Sequence, residues 1–233
     1  MIVKHLIEKF GAVEEFKNLE FWDMDHATSG ASHNSYCKAI PKTTGAGFPF
    51  NKKKIYFLEP SSSEYAPEGM VPNAYVKDRI LKLLDLMKTG TRPMFLYKTC
   101  MKDEPRAKEK VKTRSIRVFT CAPMDAVIIQ KMYFGSFAGI FCNNYLETET
   151  VNGLNCYSKD WGAVFNKLKK HPNCINGDYS KYDKKASSAM ICAAFSVMTG
   201  VIEKHLDISE DCKNIFRVMM SEICHPVLLL EKE

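Results

Sequence analysis

The chain has 233 residues, 45% hydrophobic and 11% aromatic, with 33 Lys and Arg against 27 Asp and Glu for a formal net charge of +6. That is enough apolar material for a sizeable core in one large domain or two lobes, and it excludes an intrinsically disordered chain. No apolar stretch after Met1 suits a signal peptide, and the longest uncharged run, 186–202, is short for a bilayer and interrupted by hydroxyl side chains, so no membrane span is expected.

Residues 1–25 begin helically, and 26–54, "HATSGASHNSYCKAIPKTTGAGFPFNKKK", read as a long irregular stretch rich in Ser, Thr, Gly and Pro. Val76, Ile80, Leu83, Leu84 and Met87 form one apolar stripe at helical spacing, which Gly90 and Pro93 terminate. The next helix opens at Pro123 and runs through Val127, Ile128 and Lys131 toward Phe134. Ser158 predicts the cap of another, with Trp161, Val164, Phe165 and Leu168 on its core face and Pro172 as its stop. A short strand is expected over 174–176. Residues 186–201 read as a buried helix, and the last helix spans about 209–223 with Ile215, Phe216, Met219 and Met220 inward. The pattern is mixed α and β without internal repeats. The nine cysteines are scattered singly with no CxxC spacing, which fits a reducing intracellular setting and small buried thiols rather than zinc ligands or disulfides.

Charge is unevenly spread. Residues 98–117, "KTCMKDEPRAKEKVKTRSIR", hold eight basic and three acidic side chains, a local net charge of +5. Lys52, Lys53 and Lys54 form a second basic knot directly after "GAGFPF". Such concentration suits a polyanion, either RNA or a nucleoside triphosphate. A solvated lysine face is the bland alternative. It must also explain arginines interleaved with Val111, Ile116 and Val118 in a strand-like pattern, and arginine's planar fork suits phosphate oxygens.

In "NGDYSKYD", Asp178 and Asp183 stand five positions apart after a short apolar run. A carboxylate at the end of a strand, where the chain turns sharply, is held rigidly enough to ligate Mg²⁺. Taken alone, the pair reads as a helix cap and a surface aspartate.

Three blocks in order, "TTGAGFPFNKKK", "KDEPRAKEKVKTRSIRVF" and "GDYSKYD", resemble the RNA-directed RNA polymerases of picorna-like positive-strand RNA viruses, the picornavirus and dicistrovirus groups among them, over about residues 42–225. The resemblance implies a right-hand polymerase fold of the α/β (α+β) class, with a fingers region in 1–172 and the start of a palm in 173–233. It implies that Asp178 is the catalytic metal-binding aspartate and that Asp183 senses the ribose hydroxyls. Arg117 is the best match to the triphosphate-binding arginine, and Arg106 matches the arginine after K-D-E-x. Lys102 opens that motif, Lys110 lies nearby, and either Arg114 or Lys112 supplies the second basic ligand. The block around Gly47, Phe48 and Pro49, with Lys52 and Lys53, resembles the segment along the template path. There Phe48 or Phe50 offers a stacking face, or both are core aromatics. The implied cofactor is Mg²⁺ or Mn²⁺ in a two-metal site, and the implied partners are template and primer RNA, nucleoside triphosphates, and the rest of the palm and thumb. The implied location is the host cytoplasm, at viral replication complexes.

The sequence departs from the family's pattern in lacking the Ser-Gly-rich helix motif and any G-D-D. An incomplete polymerase is therefore expected, truncated or naturally split, whose metal site needs residues outside this chain and which alone is inactive. A non-catalytic RNA-binding module is the rival from another class. Reverse transcriptase is a weaker one, since the ribose-sensing match at Asp183 argues against it.

Overall fold

The computed structural model describes residues 1–31, 34–61, 69–113, 117–180 and 182–230, with backbone alone at Asp183 and Lys184. Its described helices are α1 (Ile2–Phe10), α2 (Met24–Ser29), α3 (Ala74–Lys88), α4 (Lys108–Lys112), α5 (Met124–Asn143), α6 (Tyr145–Thr148), α7 (Lys159–Leu168), α8 (Tyr182–Lys185), α9 (Ser188–His205) and α10 (Glu210–Cys224). The strands are β1 (Leu58–Pro60), β2 (Met70–Pro72), β3 (Leu96–Met101), β4 (Val118–Cys121) and β5 (Val227–Leu229). β1 and β2 pair antiparallel, while β3 lies between antiparallel β4 and parallel β5.

Local rules account for the long helices. Asn73 accepts a hydrogen bond from the Val76 N–H at 3.1 Å to cap α3, whose buried residues are the expected stripe of Val76, Ile80, Leu83, Leu84 and Met87. Ser187 caps α9 and Ser209 caps α10 in the same way, through the N–H groups of Met190 and Cys212. α5 is apolar nearly all round because it is covered on several sides: Ile128 and Ile129 are fully buried, and α2 and α3 both pack against it. Phe134 of α5 joins three helices, its ring 5.5 Å from Phe195 of α9 and 5.1 Å from Phe216 of α10. Each such side chain contributes about 1.5–3 kcal/mol on burial, so α5 is the axis of the core.

A buried carboxylate fixes the three-stranded sheet. Glu222, on α10, is 2% exposed and accepts from Arg92 Nε at 2.9 Å, the Met94 N–H at 3.2 Å and the Phe95 N–H at 3.1 Å. Arg92 also donates to the His225 carbonyl at 3.0 Å. These bonds hold the start of β3 against the end of α10, so the chain leaving α10 can enter β5 beside β3, with Leu96 opposite Val227.

Several sequence expectations need correction. Residues 173–179 form no strand: they are exposed and irregular, because no strand among the described residues pairs their backbone there. α7 forms, but Trp161, Phe165 and Leu168 are exposed rather than core, and the Ser158 hydroxyl is bonded to Asn155 and Asp160 instead of capping the helix. α9 buries Phe195, Val197, Val201 and Ile202 only, leaving Met190 exposed. The basic segment is divided among β3, α4 and β4 and is not one strand, since the run of helix-forming Lys and Glu at 108–112 turns once before β4.

Candidate nucleotide and RNA interface

The loop carrying "GAGFPF" is built onto the base of the basic hairpin. Its ends are closed by a bridge between Gly45 and Lys53 and by the Lys54 ammonium, which donates to Thr44 Oγ1 at 2.6 Å and the Gly45 carbonyl at 2.8 Å. Lys54 is thus engaged within the loop, and burial pushes its ammonium below the usual lysine range. Lys52 and Lys53 remain exposed. At the tip, the Met124 N–H donates to the Ala46 carbonyl at 2.8 Å, and Gly47 adopts φ +75° with its Cα facing Pro123. A Cβ on Gly47 would stand 2.9 Å from Pro123 Cα and 3.0 Å from the Ala122 oxygen, so only glycine allows this approach. The Phe48–Pro49 peptide bond is cis.

Phe50 is a core aromatic. Its ring lies 4.9 Å from that of Phe57 and 6.2 Å from that of Tyr75, and the Arg79 guanidinium sits 5.8 Å from its centroid. Arg79 is itself held by the fully buried Asp125 at 2.5 Å, in the first turn of α5. Phe48, half-buried beside it, is the ring of this block with an accessible face.

β3 and β4 run antiparallel from Lys98 opposite Cys121 to Met101 opposite Val118, and the Lys102 N–H extends the ladder to the Arg117 carbonyl at 2.8 Å. Where the strands part, three cations meet Glu104: Arg106 at 2.6 Å, Lys102 at 2.9 Å and Arg117 at 3.8 Å. The Lys102 hydrogen bond, followed by the charges of Arg106, Lys102 and Arg117, draws the Glu104 carboxyl below the usual glutamate range. Lys110 and Lys112 are exposed on α4 and its last turn, and Arg114 lies outside the described residues. Sequence reasoning missed Glu104 as the hub, and it missed the buried partners Asp125 and Glu222. Their signal was a lone acid at the start of an apolar helix or within an apolar helical face.

Asp178 lies in the exposed stretch between α7 and α8, and Asp183 lies on α8, where the backbone alone is described. Among the described residues no group of three or more His, Cys, Asp or Glu side chains could hold a metal ion. Asp178 can offer one ligand, which does not by itself make a two-metal centre. No helix among the described residues is long and apolar enough to cross a membrane.

The family profile for viral RNA-dependent RNA polymerase matches residues 6–233. The replicase polyprotein of Acute bee paralysis virus is 28% identical over 189 residues, covering 80% of this chain and 9% of that polyprotein. That of Cricket paralysis virus is 29% identical over 173 residues, covering 72% and 10%. Among solved structures, the Sicinivirus 3Dpol RNA dependent RNA polymerase superposes with a TM-score of 0.71 at 15% identity, over 99% of this chain and 46% of that one. The chain thus spans about a tenth of these polyproteins and under half of the solved polymerase, and its fold is part of a right-hand polymerase. On the match of residues 6–233, the chain belongs to the viral RNA-dependent RNA polymerase family.

Proposed function

We propose that these residues are the fingers, 1–172, and the start of the palm, 173–233, of an enzyme that copies an RNA template with nucleoside triphosphates in the host cytoplasm, at viral replication complexes. The observation that most supports this is the docking of the "GAGFPF" loop on the β4–α5 junction through Ala46 and Gly47. It joins the "GAGFPF" loop to the foot of the basic hairpin.

In this reading Gly47, Phe48 and Pro49, with exposed Lys52 and Lys53, line the template path, Phe48 stacking on a base and the lysines meeting backbone phosphates. Arg117, Arg106 and Lys102 hold the triphosphate, with Lys110, Lys112 and Arg114 adding to the positive field that draws it in. Asp183 reads the ribose hydroxyls, selecting RNA precursors. Asp178 supplies one ligand to Mg²⁺ or Mn²⁺, with further carboxylates from outside these residues. When bound, such ions stabilise the attacking and departing oxygens of phosphoryl transfer. The partners in this reading are template and primer RNA, nucleotides, and the remaining palm and thumb.

The test is Arg117→Ala in a polymerase carrying these residues. Its KM for nucleotides is expected to rise about tenfold or more, as for loss of a charge-assisted contact. An unchanged KM removes the basic hairpin from nucleotide binding.

A further inference from the structure

Three of the proposed triphosphate ligands are already engaged by a group of this chain. Lys102, Arg106 and Arg117 converge on the one carboxylate of Glu104, at the mouth where β3 and β4 separate. Arg106 Nη2 is 2.6 Å from Glu104 Oε1 yet out of line for a hydrogen bond. Arg106 Nε and Nη2 and Glu104 Oε1, all shielded from solvent, have no hydrogen-bond partner among the described residues. The guanidinium fork is oriented by charge while its Nε and Nη2 donors stay unspent among the described residues. A tetrahedral phosphate, with three oxygens and more charge, would satisfy those donors where a single carboxylate does not. The side chains of Lys102 and Arg117 are 46% and 64% exposed, so the cluster contributes little to stability.

We propose that Glu104 is an internal surrogate for phosphate: it keeps the three cations gathered until nucleotide arrives and is then exchanged for the triphosphate. This rests on the reading of the basic hairpin given above. Glu104 is then a positioning residue that weakens nucleotide and pyrophosphate binding by offsetting one of three positive charges, and in doing so speeds release.

The probe is inorganic tripolyphosphate without metal, titrated calorimetrically into the 233-residue chain and its Glu104→Gln variant. The substitution keeps the shape of the side chain and removes its charge, and equal melting temperatures establish that both proteins are folded. The variant is expected to bind about threefold tighter or more, with the gap narrowing in high salt as the charges are screened. Affinity that is unchanged or weaker in the variant overturns the proposal while leaving the hairpin as an anion site. Absence of binding to either protein overturns the hairpin reading as well. A parallel titration with oligouridylate separates triphosphate from RNA backbone: a larger gain for RNA refutes the nucleotide assignment. In a polymerase carrying these residues, Glu104→Gln is expected to lower both KM for nucleotides and kcat. A purely structural glutamate would not lower KM, and that result also overturns the proposal.

Discussion

Gly47 is the point where the "GAGFPF" loop meets the basic hairpin, and alanine there tests that junction. At φ +75° an L-residue costs roughly 1–2 kcal/mol in backbone energy. Reduced freedom in the unfolded chain returns about 0.4–1 kcal/mol. The new Cβ would stand 2.9 Å from Pro123 Cα and 3.0 Å from the Ala122 oxygen, both backbone atoms that cannot rotate aside, so overpacking adds about 1–3 kcal/mol. The expected loss is about 2–4 kcal/mol. Gly90 provides the internal control: its φ is +78°, it ends α3, and a Cβ there meets nothing within 4 Å. Gly90→Ala should therefore lose only about 1 kcal/mol, the backbone cost alone. Urea unfolding followed by circular dichroism measures both from the midpoint and slope. Equal losses for the two variants would refute the close approach between loop and hairpin.

Glu222→Ala should lose about 3 kcal/mol or more in the same assay, because it strands the Met94 and Phe95 N–H groups and the Arg92 guanidinium that all donate to this carboxylate. A loss below about 1 kcal/mol would mean that the carboxylate does not anchor β3. Thiol alkylation at about pH 8, near the ordinary thiol pKa, followed by mass spectrometry, should label exposed Cys156 and Cys174 first and buried Cys37 and Cys212 last. Burial pushes the Cys212 thiol up to about 11, so it stays protonated and unreactive at that pH. Early labelling of Cys212 would contradict the packing of α10.

What was legible in the sequence was what short-range rules decide. α3 and α10 follow from 3.6-residue periodicity, written within a few neighbouring residues. What was not legible depends on partners distant in sequence. Arg79 meets Asp125 across 46 positions and Arg92 meets Glu222 across 130, and no local pattern encodes either meeting. The expected strand at 174–176 has an apolar run but no partner among the described residues, and Ile175 is fully exposed. α7 has the periodicity of a core helix, yet Phe165 and Leu168 face solvent, because periodicity specifies a face and not what covers it. Of the candidate site, the motifs identified the cations of the basic hairpin, but Glu104 as their common counter-ion emerged only from the folded geometry.

In the proposed function, Asp178 belongs to the reacting centre of an RNA polymerase. The most direct measurement is primer extension on an RNA template by a polymerase carrying these residues, comparing Asp178 with Asp178→Asn at saturating nucleotide and Mg²⁺. Because Asp178 is exposed, the substitution should leave the melting temperature unchanged. Extension is expected to slow on the order of a hundredfold or more, as for loss of a ligand that organises transition-state charge. Extension at the unsubstituted rate would contradict it.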